Sequence, residues 1–445
     1  MNQRSTTLRT DEELAVLRQR VKTFRPPTEL VEPIFSITDS RDNLNAILAM
    51  HGRLPDGTGF EGNSVEDVIY FRPKISGVTD PVVTYALMYR AFKEAGYSTV
   101  PSMGVNIGPA NLSEVLTLPR RALGYAVQSE RFSGDHQIHV LGDDKHSTVS
   151  TSMKAARILC DAFSYGNVGS LPVPYGQAKF EIVGTSNGVE LGKARGLEIL
   201  MRLEHDDLPI VVTPYHFGAA ADALGVMQSL DDSTREKAFQ FASELHKEMI
   251  YLPIAINVSG DELAYKDKPE DTPGVYFRDI ITQLLTKYNL SADYIRVELT
   301  EVPRNATNVE LNSAIAELNS IGVEVDLDDC LQGVNDQHAI DELDVAYLKF
   351  DPAAYGSSKP EEFHVDPNPK KRESVFRLIQ THRRKRNSRE ERSAGAVSER
   401  LGDLTVCASM GITHVQAFDF YRPASSVQIV NDITSGNLQV WRYAA

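Results

Sequence analysis

Apolar and polar positions alternate through Ile321-Gly-Val-Glu-Val-Asp-Leu327, and the run ends in two adjacent carboxylates, Asp328-Asp329. A period of two predicts a half-buried β-strand. Two further segments share this design. Ile295-Arg-Val-Glu-Leu-Thr-Glu301 carries Glu298 near its end, and Val345-Ala-Tyr-Leu-Lys-Phe-Asp351 carries Lys349 and Asp351, two residues apart and therefore on one face. Clustered acids at strand ends are costly unless a cation sits among them.

The same pattern predicts strands over 179–184, 194–203, 209–213, 252–258, 293–299, 321–327, 345–350 and 413–418. Helical periodicity occupies 231–249, 273–288 and 308–320 between them. Eight strands alternating with helices over some 270 residues predict a (β/α)8 barrel of the TIM type, whose active site lies at the C-terminal ends of the strands. The acids lie at those ends.

Upstream, residues 11–25 read as an amphipathic helix closed by Pro26-Pro27, followed by a poorly patterned stretch to about residue 65. Val68–Phe71 then reads as a strand, and Asp80-Pro81 opens a helix to Ala95-Gly96. Strands near 105–107 and 137–140, with helices at 112–131 and 147–164, complete a smaller α+β domain. The expected organisation is therefore an α+β domain over 1–165, a Gly/Pro-rich linker at 166–176 and a barrel over 177–445.

Composition narrows the chemistry. With 445 residues, 42% apolar and 24% charged, the chain has the make-up of a globular protein with more than one core. A net charge of -15 argues against a general nucleic-acid-backbone binder, so no DNA partner is expected. An anionic substrate would need metal ions to supply positive charge locally. Three scattered cysteines, Cys160, Cys330 and Cys407, exclude a zinc finger or disulfide framework and fit a reducing compartment. The start of the chain lacks the apolar core of a signal peptide, and no stretch approaches the roughly 18–20 apolar residues that span a bilayer. A cytoplasmic protein without membrane insertion is the expectation. One basic run, His382–Arg392, reads as a solvated helix end or as a contact for an acidic partner.

In barrel order the second domain supplies Glu198, Asn257, Glu298, Glu301, Asp328, Asp329 and Asp351, and carboxylates with an amide oxygen form a hard-oxygen ligand set suited to Mg2+ or Mn2+ and unsuited to zinc. Two such ions about 4 Å apart hold a phosphodiester and activate a water for in-line attack. The bland alternative is a salt-bridge network, in which Lys349 is paired with Asp351 or Asp329 and Arg202 is an ion pair at the barrel mouth. Six carboxylates with few cations among these motifs oppose it.

Six motifs in register resemble the EAL family of cyclic di-GMP phosphodiesterases. They are Glu198-Ile199-Leu200 with Arg202, Asn257-Val258-Ser259, Glu298-Leu299-Thr300-Glu301, Asp328-Asp329-Cys330-Leu331, Lys349-Phe350-Asp351, and Gln416. The resemblance implies a first metal held by Glu198, Asn257, Glu298 and Asp328, and a second shared by Asp328 and Asp329. It implies that Lys349 and Asp351 serve the nucleophilic water, that Glu301 orders the loop after its strand, and that Leu200, Arg202 and Gln416 contact the dinucleotide. EAL-like domains often pair, so a homodimer is a further expectation.

Departures from the family accompany the match. The Asp-Asp-Phe-Gly element reads Asp-Asp-Cys-Leu, and the early Gln-Pro contact is replaced around Phe180-Glu181-Ile182. Counting back from Met410-Gly411 puts Ala396 in place of a second-metal glutamate, unless the alignment slips and Glu399 fills it. The upstream domain resembles the tail of a degenerate GGDEF domain at Ser102–Gly108, Arg121–Ala126 and Gly134–Val140, with Tyr70–Gly77 where the signature would stand. Three functions stay open: a phosphodiesterase giving linear pGpG, a cyclic di-GMP receptor that does not cleave, and a protein-interaction module.

Overall fold

A computed structural model describes residues 34–440 except 56–57, 66–67, 76, 79, 98–99, 108–118, 124–125, 128–137, 142–145, 265–276, 301–306, 332–336, 352–368, 388–394 and 400–403. The chain forms two compact units. One takes in the residues up to Pro172 together with Arg202–Ser233, and the other Val173–Met201 with Thr234–Ala445.

The first unit is built on a five-stranded sheet in the order β2-β3-β1-β4-β5. Its strands are β1 (Ile34–Thr38), β2 (Gly59–Val65), β3 (Val68–Lys74), β4 (Met103–Asn106) and β5 (Ile138–Leu141). β1 is antiparallel to both β3 and β4, while β4 and β5 are parallel. Helix Arg41–His51 follows β1, and helix Pro81–Glu94 joins β3 to β4. The first four strands and two helices thus have the β-α-β-β-α-β order of a ferredoxin-like sheet.

Local chemistry starts both helices where they begin. Ser40 accepts a hydrogen bond from the Asn43 amide. Asp80 accepts from the amides of Val82 and Val83, with proline at the first helical position. The buried side of the sheet carries Phe35 and Phe71, stacked 5.7 Å apart between ring centroids. The sequence reading of 34–65 as poorly patterned is corrected here, since β1, the first helix and β2 all fall within it. Residues 119–123 and 126–127 are helical, and the rest of the helix expected over 112–131 lies outside the described residues, as does the one over 11–25.

The second unit is a closed barrel in the order β10-β11-β12-β13-β6-β7-β8-β9. Its strands are β6 (Pro172–Thr185), β7 (Gly188–Leu203), β8 (Ile254–Val258), β9 (Ile295–Leu299), β10 (Glu324–Leu327), β11 (Tyr347–Phe350), β12 (Gly395–Glu399) and β13 (His414–Gln416). All characterised pairs from β7 round to β13 are parallel, whereas β6 meets β13 antiparallel. Outward-facing Leu197, Ile254, Val297, Val325, Leu348 and Val415 pack beneath the helices in one buried apolar cluster.

The expected strand at 209–213 is corrected. Pro209 and Pro214 bracket it, Ile210 and Val211 are exposed, and only Val212 forms a bridge, to Leu203. The eighth barrel strand is β12, whose small residues give it little β-propensity and which is held by pairing between β11 and β13. Among the described residues no helix is long and apolar enough to cross a membrane.

Gly104 tests the packing of the first unit. A Cβ there would lie 2.2 Å from the Leu123 amide nitrogen, 2.3 Å from the Pro119 carbonyl oxygen and 2.7 Å from Ser36 Oγ. Gly104→Ala is expected to cost roughly 2–3 kcal/mol in urea unfolding. Gly59→Ala, whose Cβ would make an ordinary 3.5 Å contact with Lys74 Cβ, is expected to stay within roughly 1 kcal/mol.

Candidate functional site

Alternation along the barrel strands aims every second residue at the barrel axis, and on these strands many of those residues are charged. β7 contributes Glu198, β8 Asn257, β9 Glu298 and β11 Lys349, while Asp328 follows directly after β10. Register sets Asn257 level with Glu298 as paired residues of neighbouring strands, and Asp328 comes two residues after Asp326, the partner of Glu298 on β10.

Carboxylate oxygens of Glu198, Glu298 and Asp328 all lie within 4.8 Å of one another. Lys349 enters their midst. Its Nζ is 2.6 Å from Glu298 Oε2, 2.9 Å from Asp328 Oδ2 and 3.2 Å from Glu198 Oε2, and its side chain is wholly buried. Asn257 Nδ2 donates to Glu198 Oε1 at 3.0 Å, and Gln416 Nε2 donates to Glu198 Oε2 at 2.6 Å. Burial opposes ionisation of Glu198, but the Lys349 and Lys179 ammonium groups and these two amide donors outweigh it. They hold the carboxyl down at about 2.

A second tier lies one strand step toward the N-terminal ends. Arg296 spans Asp326 and Glu324, with Nε 2.9 Å from Asp326 Oδ2, and its guanidinium lies 4.7 Å from the Tyr347 ring centroid. The Tyr347 amide donates to Asp326 Oδ1 at 3.0 Å. Burial alone would raise the Asp326 carboxyl, but Arg296 overcomes it and the net shift is downward. Glu324 and Asp326, which the sequence left without a role, are therefore the counter-charges of a half-buried arginine.

Gln177 and Lys179 on β6 stand beside the cluster and were not among the residues singled out in the sequence. Gln416 Nε2 also donates to Gln177 Oε1 at 3.1 Å, and Lys179 Nζ donates to Glu298 Oε1. Burial, with repulsion from Lys349, pulls the Lys179 ammonium down to about 8. The signal was present as polar residues at alternate positions, Gln177, Lys179 and Glu181, in an otherwise apolar strand. Of the segment Phe180-Glu181-Ile182, Phe180 packs into the core and edge-on to Phe420, whereas Gln177 stands beside Gln416.

The remaining candidates are more dispersed. Leu200 and Arg202 follow Glu198 at alternate positions toward the end of β7 and are half-buried. Asp351 is half-buried just beyond β11. Asp329 is exposed, with its backbone in the left-handed region at φ 46° and its amide donating to Asp328 Oδ1 at 2.8 Å, and it stands outside the three-carboxylate cluster. Leu331 is left-handed too, at φ 67°. That conformation is why glycine suits this place in the related motif. Cys330 is buried and packs, and burial with the negative charge of Asp328 pushes its thiol up. Glu301 lies outside the described residues.

Ala396 is not a lost ligand. It is paired with Leu348, shares the outward apolar cluster with it, and is fully buried there. Val397, in register with Lys349, is the residue that lines the barrel's inner cavity. The acid at the C-terminal end of β12 is Glu399, in register with Gln416. The slipped alignment is therefore the one the strand register supports.

The basic run is partly accounted for. His382 is buried with Nε2 3.1 Å from the Ala346 carbonyl, Arg383 donates to the Gly411 carbonyl, and Lys385 donates to the carbonyls of Asp341 and Leu343. Residues 388–392 lie outside the described residues.

A model of the EAL domain family matches residues 188–380. The chain carries an EAL domain. The matched span includes Glu198, Asn257, Glu298, Asp328 and Lys349, and leaves β6, β12 and β13 outside it. Solved structures similar to this chain include the phosphodiesterase PaMucR in complex with c-di-GMP, at 18% identity, TM-score 0.48, and 61% of this chain and 99% of that chain covered. An EAL domain protein from Listeria monocytogenes EGD-e matches at 16% identity, TM-score 0.46, with 62% and 96% covered. The EAL enzyme Bd1971, in a form with cAMP and cyclic-di-GMP bound, matches at 13% identity, TM-score 0.47, with 91% and 94% covered. No curated protein matches the chain.

The residues of the EAL domain fit a hard divalent cation. Three carboxylates converge with an amide beside them, and Gln416 Oε1 is buried with no hydrogen-bond partner of its own. A ligand bearing a donor or a positive charge would satisfy that acceptor.

The second tier makes a pH-dependent prediction. Asp326→Asn takes from the half-buried Arg296 its main partner, and is expected to cost about 1–3 kcal/mol in urea unfolding at pH 7. A depressed folded pKa gives stability that is present above the unfolded value of roughly 3.9 and is lost as pH falls through the folded value. The gap between wild type and Asp326→Asn should therefore be constant from pH 7 to about 5 and shrink at pH 3 and below.

Proposed function

We propose that this chain is a divergent EAL-type phosphodiesterase that opens cyclic di-GMP to linear pGpG with Mg2+ or Mn2+. The observation that carries the reading is the convergence of Glu198, Glu298 and Asp328 on one buried point, with Lys349 among them. Such a cluster is expensive to bury for structure alone. Glu198, Asn257, Glu298 and Asp328 are assigned to a first metal. Asp328 and Asp329 are assigned to a second, for which Glu399 is the candidate glutamate at the end of β12. Bound there, the ions polarise a phosphodiester and lower the pKa of a water.

The protein's own groups then have separate tasks. Lys349 balances the carboxylates and holds the nucleophilic water, with Asp351 two residues on in support. Leu200, Arg202 and Gln416 contact the dinucleotide, Gln177 fixes the Gln416 amide, and Glu301 orders the loop after β9. The first unit is assigned as a regulatory domain with a degenerate GGDEF-like fold, on the strength of its β-α-β-β-α-β order. Tyr70–Gly77 carries no acidic pair to hold metal for cyclisation. A cytoplasmic homodimer, with the basic run or the first unit available to a protein partner, completes the reading.

A receptor that binds cyclic di-GMP without cleaving it is the second reading, favoured by one observation: two lysines already neutralise much of the carboxylate charge. Incubation of the full chain with cyclic di-GMP and Mn2+, followed by chromatography, separates the two. Linear pGpG is expected from the wild type, and Glu298→Gln should slow its formation by about a hundredfold or more. Saturable nucleotide binding with no product from the wild type would replace the first reading by the second.

A further inference from the structure

Lys179 has no place in the EAL motifs above and lies outside the matched span. It points into the barrel from β6, the one strand whose pairing with its neighbour β13 is antiparallel, with Phe180 and Glu181 in register with Val415 and His414. Its ammonium meets Glu298 Oε1, while Lys349 holds Glu298 Oε2. Both oxygens of this carboxylate, which is wholly buried, are thus already engaged by cations.

We propose that Lys179 is a resident counter-cation that competes with a divalent ion for Glu298, so that this EAL domain binds its metal weakly and empties readily. This inference rests on the metal site assigned above.

The charge balance carries it. Three carboxylates facing two ammonium groups leave one negative charge in the cluster, and a divalent ion overshoots that balance. Were a neutral side chain to stand in place of Lys179, a divalent ion would cancel the remaining charge. Little water is present to screen the repulsion, because Lys179, Glu298 and Lys349 are all buried. Glu298 is also a poorer ligand while it accepts a hydrogen bond from an ammonium, since that bond draws on the electron density a metal would take. The lysine and the metal are therefore alternatives at one oxygen. Lys179 acts through Glu298 and is not itself a catalytic residue.

The test is calorimetric titration of Mn2+ into metal-free full-length protein, as wild type, Lys179→Met, Lys179→Gln and Lys179→Arg, with circular dichroism as the check on folding. Lys179→Met and Lys179→Gln are expected to bind Mn2+ about tenfold or more tightly than wild type. They should also show a larger Mn2+-induced rise in thermal midpoint. Lys179→Arg, which keeps the charge, should stay near the wild-type affinity. Unchanged or weaker Mn2+ binding in the folded neutral variants, with the wild type still binding, would overturn the role of Lys179 and leave the metal site standing. No Mn2+ binding in any of the four proteins would overturn the metal site and this inference with it. If neither neutral variant folds, Lys179 is a support of the barrel and the inference also fails.

Discussion

Charge balance inside the barrel is the constraint on which the rest of the second unit depends. Glu198, Glu298, Asp326 and Asp328 are all buried on the inner faces or at the ends of their strands. A carboxylate taken out of water costs several kcal/mol unless a cation or strong donors replace its solvation. Two tiers answer this need. In the lower, Arg296 serves Asp326 and Glu324. In the upper, Lys349 and Lys179 serve Glu198, Glu298 and Asp328, with Asn257 and Gln416 as neutral donors. The lower tier is closed on itself and structural. The upper tier draws the carboxylates of Glu198, Glu298 and Asp328 onto one buried point, and that convergence is what sets it apart as the candidate site.

Much of the upper tier was legible in the sequence, because Glu198, Glu298 and Lys349 stand in motifs toward the ends of expected strands, and the period of two set Lys349 and Asp351 on one face. Asn257 and Asp328 followed from the same register. What the sequence concealed has two physical causes. Gln177 falls between the Gly/Pro-rich linker read over 166–176 and the strand read over 179–184, and Lys179 opens that strand, where a single lysine gives no sign of the carboxylate it meets on β9. The second cause is propensity misleading about β12. Gly395, Ala396 and Ser398 are weak strand formers whose strand comes from the neighbours' backbones, whereas Ile210 and Val211 are β-branched yet exposed.

Placing β12 correctly changes the chemistry. Aligned by counting, Ala396 removes a metal ligand; aligned by register, Ala396 is core and Glu399 stands at the strand end. The departure that bears on the proposed metal site is then the added cation Lys179 and not a missing acid at Ala396. In the first unit, the sheet was legible in part. Val68–Phe71 and the Asp80-capped helix announced themselves, but Ile34–Thr38 is short, and β2 contains two glycines and an asparagine and owes its extended form to pairing with β3.

Manganese anomalous diffraction from crystals grown with Mn2+ and cyclic di-GMP tests the central claim most directly. The account predicts an anomalous peak among the oxygens of Glu198, Glu298 and Asp328, with Lys179 withdrawn from Glu298 Oε1 and the dinucleotide above it. Cyclic di-GMP bound at the barrel mouth with no manganese peak, and both lysines still seated on an unchanged carboxylate cluster, would contradict it.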